Sequence, residues 1–211
     1  MELSMTHTAT LSSDLAYIRD LAEAGENAPL LGGRFLAWWG GLMTLAYTGH
    51  FLIATKAVGI GPESLWILWA TVTGLGIIGQ FALKAFFPSK PGESSTGNRV
   101  QSVVWMSAGF VLFAYFIGVI GQIMFFGGGY TGFYWSVPVV IGLYGLSQFV
   151  TGLIAGHGAL KFAGLAAFAG TAVAAMMTGT DFVWLAGAGV AFLAVFVPGL
   201  MLLRTEPATT V

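Results

Sequence analysis

The sequence predicts an all-α polytopic membrane protein: six transmembrane helices arranged as three parallel-repeat hairpins, preceded by a short cytoplasmic amphipathic helix. Three observations predict it. From Val100 to Leu160 there is no Asp, Glu, Lys or Arg, and Phe35–Thr55, Ser64–Leu83, Phe162–Thr180 and Phe182–Leu203 are equally free of charge. Charged residues are 8% of the 211-residue chain, against about 25% in a soluble domain. Uncharged stretches of about twenty residues match the hydrocarbon thickness of a bilayer. Such runs also exclude a β-barrel, whose strands would be about ten residues of alternating polarity.

Residues 1–33 form a cytoplasmic N-terminal segment. Ser12 and Ser13 start a short helix over about 13–25, Asp14 sits in its first turn and Gly25 ends it. Leu15, Ile18, Leu21 and Ala22 share one face, flanked by Asp20 and Glu23. A helix this short is unstable alone, so that face needs a surface. The inner end of its own bundle comes first and a partner protein second. Lipid headgroups come last, because the acids outnumber Arg19 and disfavour an anionic surface. The segment lacks a basic start followed by an apolar run, so it does not read as a signal peptide.

The transmembrane domain follows over 34–204. Its spans are placed at Phe35–Thr55, Ser64–Phe86, Val100–Phe126, Phe133–His157, Ala159–Thr178 and Asp181–Leu203. The glycine-rich run Gly127-Gly128-Gly129-Tyr130-Thr131-Gly132 marks a turn between the third and fourth. Pro138 and Pro198 each remove a backbone donor inside a span and favour a kink. Residues 205–211 are a cytoplasmic tail.

Basic residues orient the bundle. With the N-terminus inside, Arg19, Arg34, Lys84, Lys90, Arg99, Lys161 and Arg204 are cytoplasmic and Lys56 alone is external. Trp38, Trp39 and Trp105 then lie near inner span ends, and Trp66, Trp69, Trp135 and Trp184 near outer ones. Indole favours both interfaces, where its ring is apolar and its N–H meets water.

A shift of 68 superposes Gly41 on Gly109, Tyr47 on Tyr115, Gly59 on Gly127, Gln80 on Gln148 and Phe81 on Phe149. Spans 1–2 and 3–4 therefore read as a duplicated hairpin. A fainter third copy puts Phe149, Gly152 and Leu153 on Phe196, Gly199 and Leu200 at a shift of 47. Hairpins of one orientation make a parallel repeat, a pattern that stable scaffolds and transporters share.

No Asp or Glu falls inside a span, which argues against proton-coupled carriers and cation pumps. The uncharged polar residues Tyr47, His50, Gln80, Tyr115, Gln122 and Gln148 need partners in lipid. They should face the interior, as interhelical hydrogen bonds or as a polar lining. There is no catalytic motif: Ser147 has no placed base, no His-Glu-x-x-His metal motif occurs, and Gly127–Gly129 lacks the Lys of a phosphate loop. Cysteine is absent, so disulfides and thiolate metal sites are impossible. No cofactor is implied. A bis-histidine haem would need His50 and His157 at one depth, yet His50 lies roughly 20 Å from the inner end of its span and His157 at the inner end.

The opening from Asp14 to Phe35, followed by Trp38-Trp39-Gly40-Gly41, resembles bacterial inner-membrane proteins of unassigned function. The resemblance covers about a tenth of the chain and implies a location, not an activity. The first functional expectation is a non-catalytic integral membrane subunit or scaffold that associates with other membrane or cytoplasmic proteins. Second is a facilitative channel or carrier for a small neutral or lipid-like molecule, and third a haem- or pigment-associated membrane protein. The partners expected are the lipid bilayer, other proteins or further copies of the chain. A net charge of −1 gives no reason to expect nucleic acid.

Overall fold

The computed structural model describes residues 14–20, 28–87 and 89–208, and all regular structure among them is helical. Six long helices follow one another: α1 Gly33–Ala54, α2 Leu65–Phe86, α3 Thr96–Phe126, α4 Thr131–Ile154, α5 Gly158–Met177 and α6 Phe182–Thr205. A 3-10 turn, Pro62–Ser64, leads into α2. The middle of α6, Ala191–Phe196, is π-helical. Helices α2 to α6 are long and apolar enough to cross a bilayer, which marks an integral membrane protein. Helix α1 has 22 residues but is not among them. Arg34, Trp38, Trp39, Thr44, Thr48 and His50 lower its hydropathy.

Short turns reverse the chain between helices. After α3, Gly127 takes the left-handed conformation at φ 64°. The Gly128 N–H then reaches back to the Gln122 carbonyl at 3.1 Å. After α4, Gly156 does the same at φ 65°, with the His157 N–H on the Gly152 carbonyl at 2.9 Å. The second is a six-to-one closure; after α3 the Gly127 N–H makes the six-to-one bond to the same Gln122 carbonyl, and in both turns glycine supplies the positive φ without strain. The starts of α1, α3 and α5 and the ends of α2, α4 and α6 share one end. We call it the basic end, because Arg34, Lys84, Arg99, Lys161 and Arg204 lie there. Lys56 lies at the far end.

Two glycine seams hold the bundle. Along the first, α1 packs on the whole length of α6. A side chain at Gly40 would collide with the Phe196 backbone, and one at Gly199 with the Ala37 backbone. Along the second, α4 lies against α5. A Cβ on Gly152 would stand 2.6 Å from the Lys161 nitrogen, and one on Gly164 would stand 2.7 Å from the Phe149 nitrogen. Without a hydrophobic drive between helices in lipid, such close approach is the main source of attraction. Tyr47, Val137, Ile141, Leu160, Val183, Val195 and Leu202 fill the core between the seams.

Helices α2 and α3 are peripheral. At the level of backbone contact, α2 approaches α1 and its own leading turn, and α3 approaches α4 alone. Most of their apolar side chains face outward, including Ile78, Phe81, Phe110 and Phe113.

A polar knot closes the basic end. Asn98, in the first turn of α3, is buried. Its Oδ1 accepts from the Leu31 N–H at 2.7 Å, and its Nδ2 donates to the Pro29 and Gly92 carbonyls, both at 2.9 Å. One amide thus fixes the strand before α1 to the loop before α3. Residues 14–20 are helical and exposed throughout. Leu15 and Ile18 are 66% and 60% exposed, so the bundle does not cover these two residues of the face expected against it. Leu21 and Ala22 lie outside the described residues, as do the expected ends of that helix.

The seams predict a contrast between glycines. Gly199→Ala should destabilise the fold by about 2–3 kcal/mol through overpacking. Gly109→Ala, with nothing within 4 Å of its Cβ position, should be neutral or stabilise by up to about 1 kcal/mol, because alanine favours the helix over glycine. Thermal unfolding of the detergent-solubilised variants separates the two, and equal losses would remove the α1–α6 seam from this account.

Candidate functional site

Besides the Asn98 knot, two polar places stand out among the described residues inside the helical bundle. The first is at the far end. Tyr47, His50 and Phe51 stand three and four residues apart on α1, so they share a face. Trp69 comes from α2, Tyr134 from the first turn of α4, and Trp184 from the first turn of α6. The His50 ring stacks on Trp184 at 3.5 Å between centroids with 17° between planes. Trp69 packs edgewise on both Tyr47 and His50, at 5.8 and 5.9 Å. Tyr134 lies 5.7 Å from Trp184 and donates its hydroxyl to Asp181 at 3.2 Å.

The hydrogen bond at the centre defines what this cluster can do. Trp69 donates its Nε1–H to His50 Nδ1 at 3.0 Å. An accepting Nδ1 on a neutral imidazole places the proton on Nε2. In this arrangement His50 serves as a stacking and hydrogen-bonding residue between α1, α2 and α6. Trp184 Nε1 is buried without an acceptor. Among the described residues no group of three or more His, Cys, Asp or Glu could hold a metal ion.

The second place lies between α4 and α6. In an α-helix, the carbonyl of Ala194 would accept from the N–H of residue 198. Residue 198 is proline and has no N–H. The helix widens to π geometry over Ala191–Phe196, and Gln148 donates its Nε2 to the stranded Ala194 carbonyl at 2.7 Å. Gln148 is fully buried. Its Oε1, together with Ser147 Oγ and Thr151 Oγ1 on the same helix turn, is buried without a partner.

The six polar residues singled out in the sequence are thus dispersed. Tyr47 and His50 are brought together at the far end. Gln148 is interior, but its amide is used on α6. Tyr115 donates its hydroxyl to the Gly132 carbonyl at 2.7 Å, joining α3 to the start of α4. Gln80 faces outward, contrary to the interior placement expected, because Trp39 at the α1–α2 edge draws its carbonyl with an indole N–H at 2.9 Å. Gln122 is also exposed, on the last turn of the peripheral α3. Sequence reasoning missed Asn98, which follows Ser95 in a helix-start pattern but whose partners at Pro29 and Leu31 are remote. It also missed the joint role of Trp69 and Trp184, read there as interfacial anchors.

Compared with protein-family models, curated proteins and solved structures, the chain matches none.

The π segment generates a rescue experiment. Gln148→Leu leaves the Ala194 carbonyl unpaired and should cost about 1–3 kcal/mol. Adding Pro198→Ala returns a backbone N–H to that carbonyl and should recover much of the loss. A double-mutant unfolding cycle measures this, and strictly additive effects would mean that Gln148 and Pro198 are not coupled.

Proposed function

We propose that the chain is a non-catalytic integral membrane subunit or scaffold that associates with other membrane or cytoplasmic proteins. In this reading all six helices span the bacterial inner membrane as three hairpins of one orientation, with both termini in the cytoplasm. The excess of basic residues at one end supports the orientation. The repeat is supported by Gly59 and Gly127, which are equivalent in the 68-residue shift and share a left-handed backbone, φ 67° and 64°.

The observation that carries the proposal is the segment ahead of the bundle. Residues 14–20 are helical, and Leu15, Tyr17 and Ile18 are 66%, 66% and 60% exposed. An amphipathic turn with its apolar side uncovered is suited to docking in the groove of a partner protein. The dispersal of the polar residues favours a subunit over a carrier. Gln148, Tyr115 and His50 each serve a named bond between helices, so they are less suited to lining a solute path.

The test is quantitative mass spectrometry of proteins co-purified with the tagged native chain after mild solubilisation. A stoichiometric partner is expected, and the double variant Leu15→Ala, Ile18→Ala should reduce its recovery by at least about tenfold, in line with loss of two apolar anchors. Unchanged recovery from a variant with normal thermal stability would defeat the docking role.

A further inference from the structure

Around the bundle the helices follow the order α3, α4, α5, α6, α1, α2, and each neighbouring pair is packed. The order does not close: among the described residues α2 and α3 make no backbone contact. In the proposed repeat this open junction is equivalent to the two glycine seams. Each seam joins the second helix of one hairpin to the first helix of another, α4 to α5 and α6 to α1.

The residues that make the seams have counterparts at the gap. The shifts of 68 and 47 align Phe81, Phe149 and Phe196, and the shift of 68 with a further one of 55 aligns Gly41, Gly109 and Gly164. In the α4–α5 seam a Cβ on Gly164 would stand 2.6 Å from the Phe149 Cβ. In the α6–α1 seam one on Gly41 would stand 3.2 Å from the Phe196 ring. The third pair is unmade: Phe81 is 70% exposed, and Gly109 has nothing within 4 Å of its Cβ position. Phe149 also packs edgewise on Phe168 at 5.9 Å, whereas the counterparts Phe81 and Phe113 both face outward. Gly74 repeats the pattern: its counterpart Gly142 abuts Thr171 of α5, but Gly74 abuts nothing. Glycine costs a helix about 1 kcal/mol relative to alanine, and at Gly74 and Gly109 no contact within this fold offsets it.

We infer that this face joins two copies of the chain, with Phe81 of each packed on Gly109 of the other. Helix α2 runs toward the basic end and α3 away from it. A two-fold axis along the membrane normal therefore sets α2 of one copy antiparallel to α3 of the other, twice. Both halves of the contact are present in one chain, as an isologous interface requires. Closure within a single copy is opposed at the basic end. There Lys84 stands where the closed seams carry Gly152 and Gly199, and enclosing a lysine between helices in lipid is costly. The loop joining α2 to α3 is also tied down, by Lys90 to Glu206 at 2.7 Å and by Gly92 to Asn98 at 2.9 Å. Helices of separate copies share no loop, so they can cross at Phe81 and splay beyond it, leaving Lys84 in headgroup water. The inference rests on the three-hairpin reading proposed above and not on the docking segment.

Energy transfer between donor- and acceptor-labelled full-length copies in liposomes tests it. The label sits on a cysteine introduced in residues 205–211, since the chain has none of its own. Transfer should rise with protein density to the plateau of a two-copy complex. Phe81→Ala and Gly109→Leu should each weaken association by about tenfold, with each variant still folded as its unfolding temperature reports. The double variant Leu15→Ala, Ile18→Ala should associate as the wild type does, which separates this result from the docking test. A short bifunctional maleimide should join a Phe81→Cys copy to a Phe113→Cys copy. Copies that stay apart at every density, association indifferent to both Phe81→Ala and Gly109→Leu, or association lost in the docking variant would overturn the inference. So would a bridge formed within one chain carrying both cysteines at high lipid dilution, which would mean that the gap closes inside a single copy.

Discussion

In hydrocarbon no backbone carbonyl can be left to water, and that constraint meets its hardest case at Pro198. The proline strands the carbonyl of Ala194 in the middle of α6, deep between two other helices. The structure answers twice: the helix widens locally to π geometry, and a buried amide from α4 donates to the free oxygen. Gln148 therefore links the two seams, because α4 is bound to α5 along one and α6 is bound to α1 along the other. A polar side chain in the core is here a fastener between helices whose apolar surfaces alone would have little reason to choose one another over lipid.

The bundle is graded from centre to edge. Helices α1, α4, α5 and α6 meet through glycines and exclude everything but side chains of matching shape. Helices α2 and α3 each lean on one neighbour and turn apolar faces outward. Hydropathy follows the same gradient in reverse at α1. That helix can carry Thr44, Thr48 and His50 because α2 and α6 stand beside it, and its polar groups bond to its own carbonyls or to Trp69. The far end is fixed by aromatic stacking around His50 and the basic end by the Asn98 amide. Both ends are thus tied by polar contacts between residues remote in sequence.

The helices were legible because charge is excluded from lipid over about twenty residues, and each helix falls within a few residues of a charge-free run. Length alone did not make α1 apolar enough to cross a bilayer, since packing rather than lipid covers much of it. The π segment was not legible: Ala191–Phe196 is a uniformly apolar run, and nothing in it differs from ordinary helix. Pro198 signalled a disturbed hydrogen bond, but not which side chain would repair it. The pairing of Trp69 with His50 was hidden for a related reason, since an interfacial tryptophan and a bonded one look alike in sequence. Gln80 misled because helical position alone does not say which neighbour lies opposite.

The α1–α6 seam joins helices separated by almost the whole described chain. During synthesis α1 leaves the ribosome long before α6 exists, and it is the helix whose own hydropathy commits it least to the bilayer. Its Gly40 face stays open until Phe196 and Gly199 arrive. A nascent chain halted before Gly199 would therefore lack the seam that holds α1 against α6.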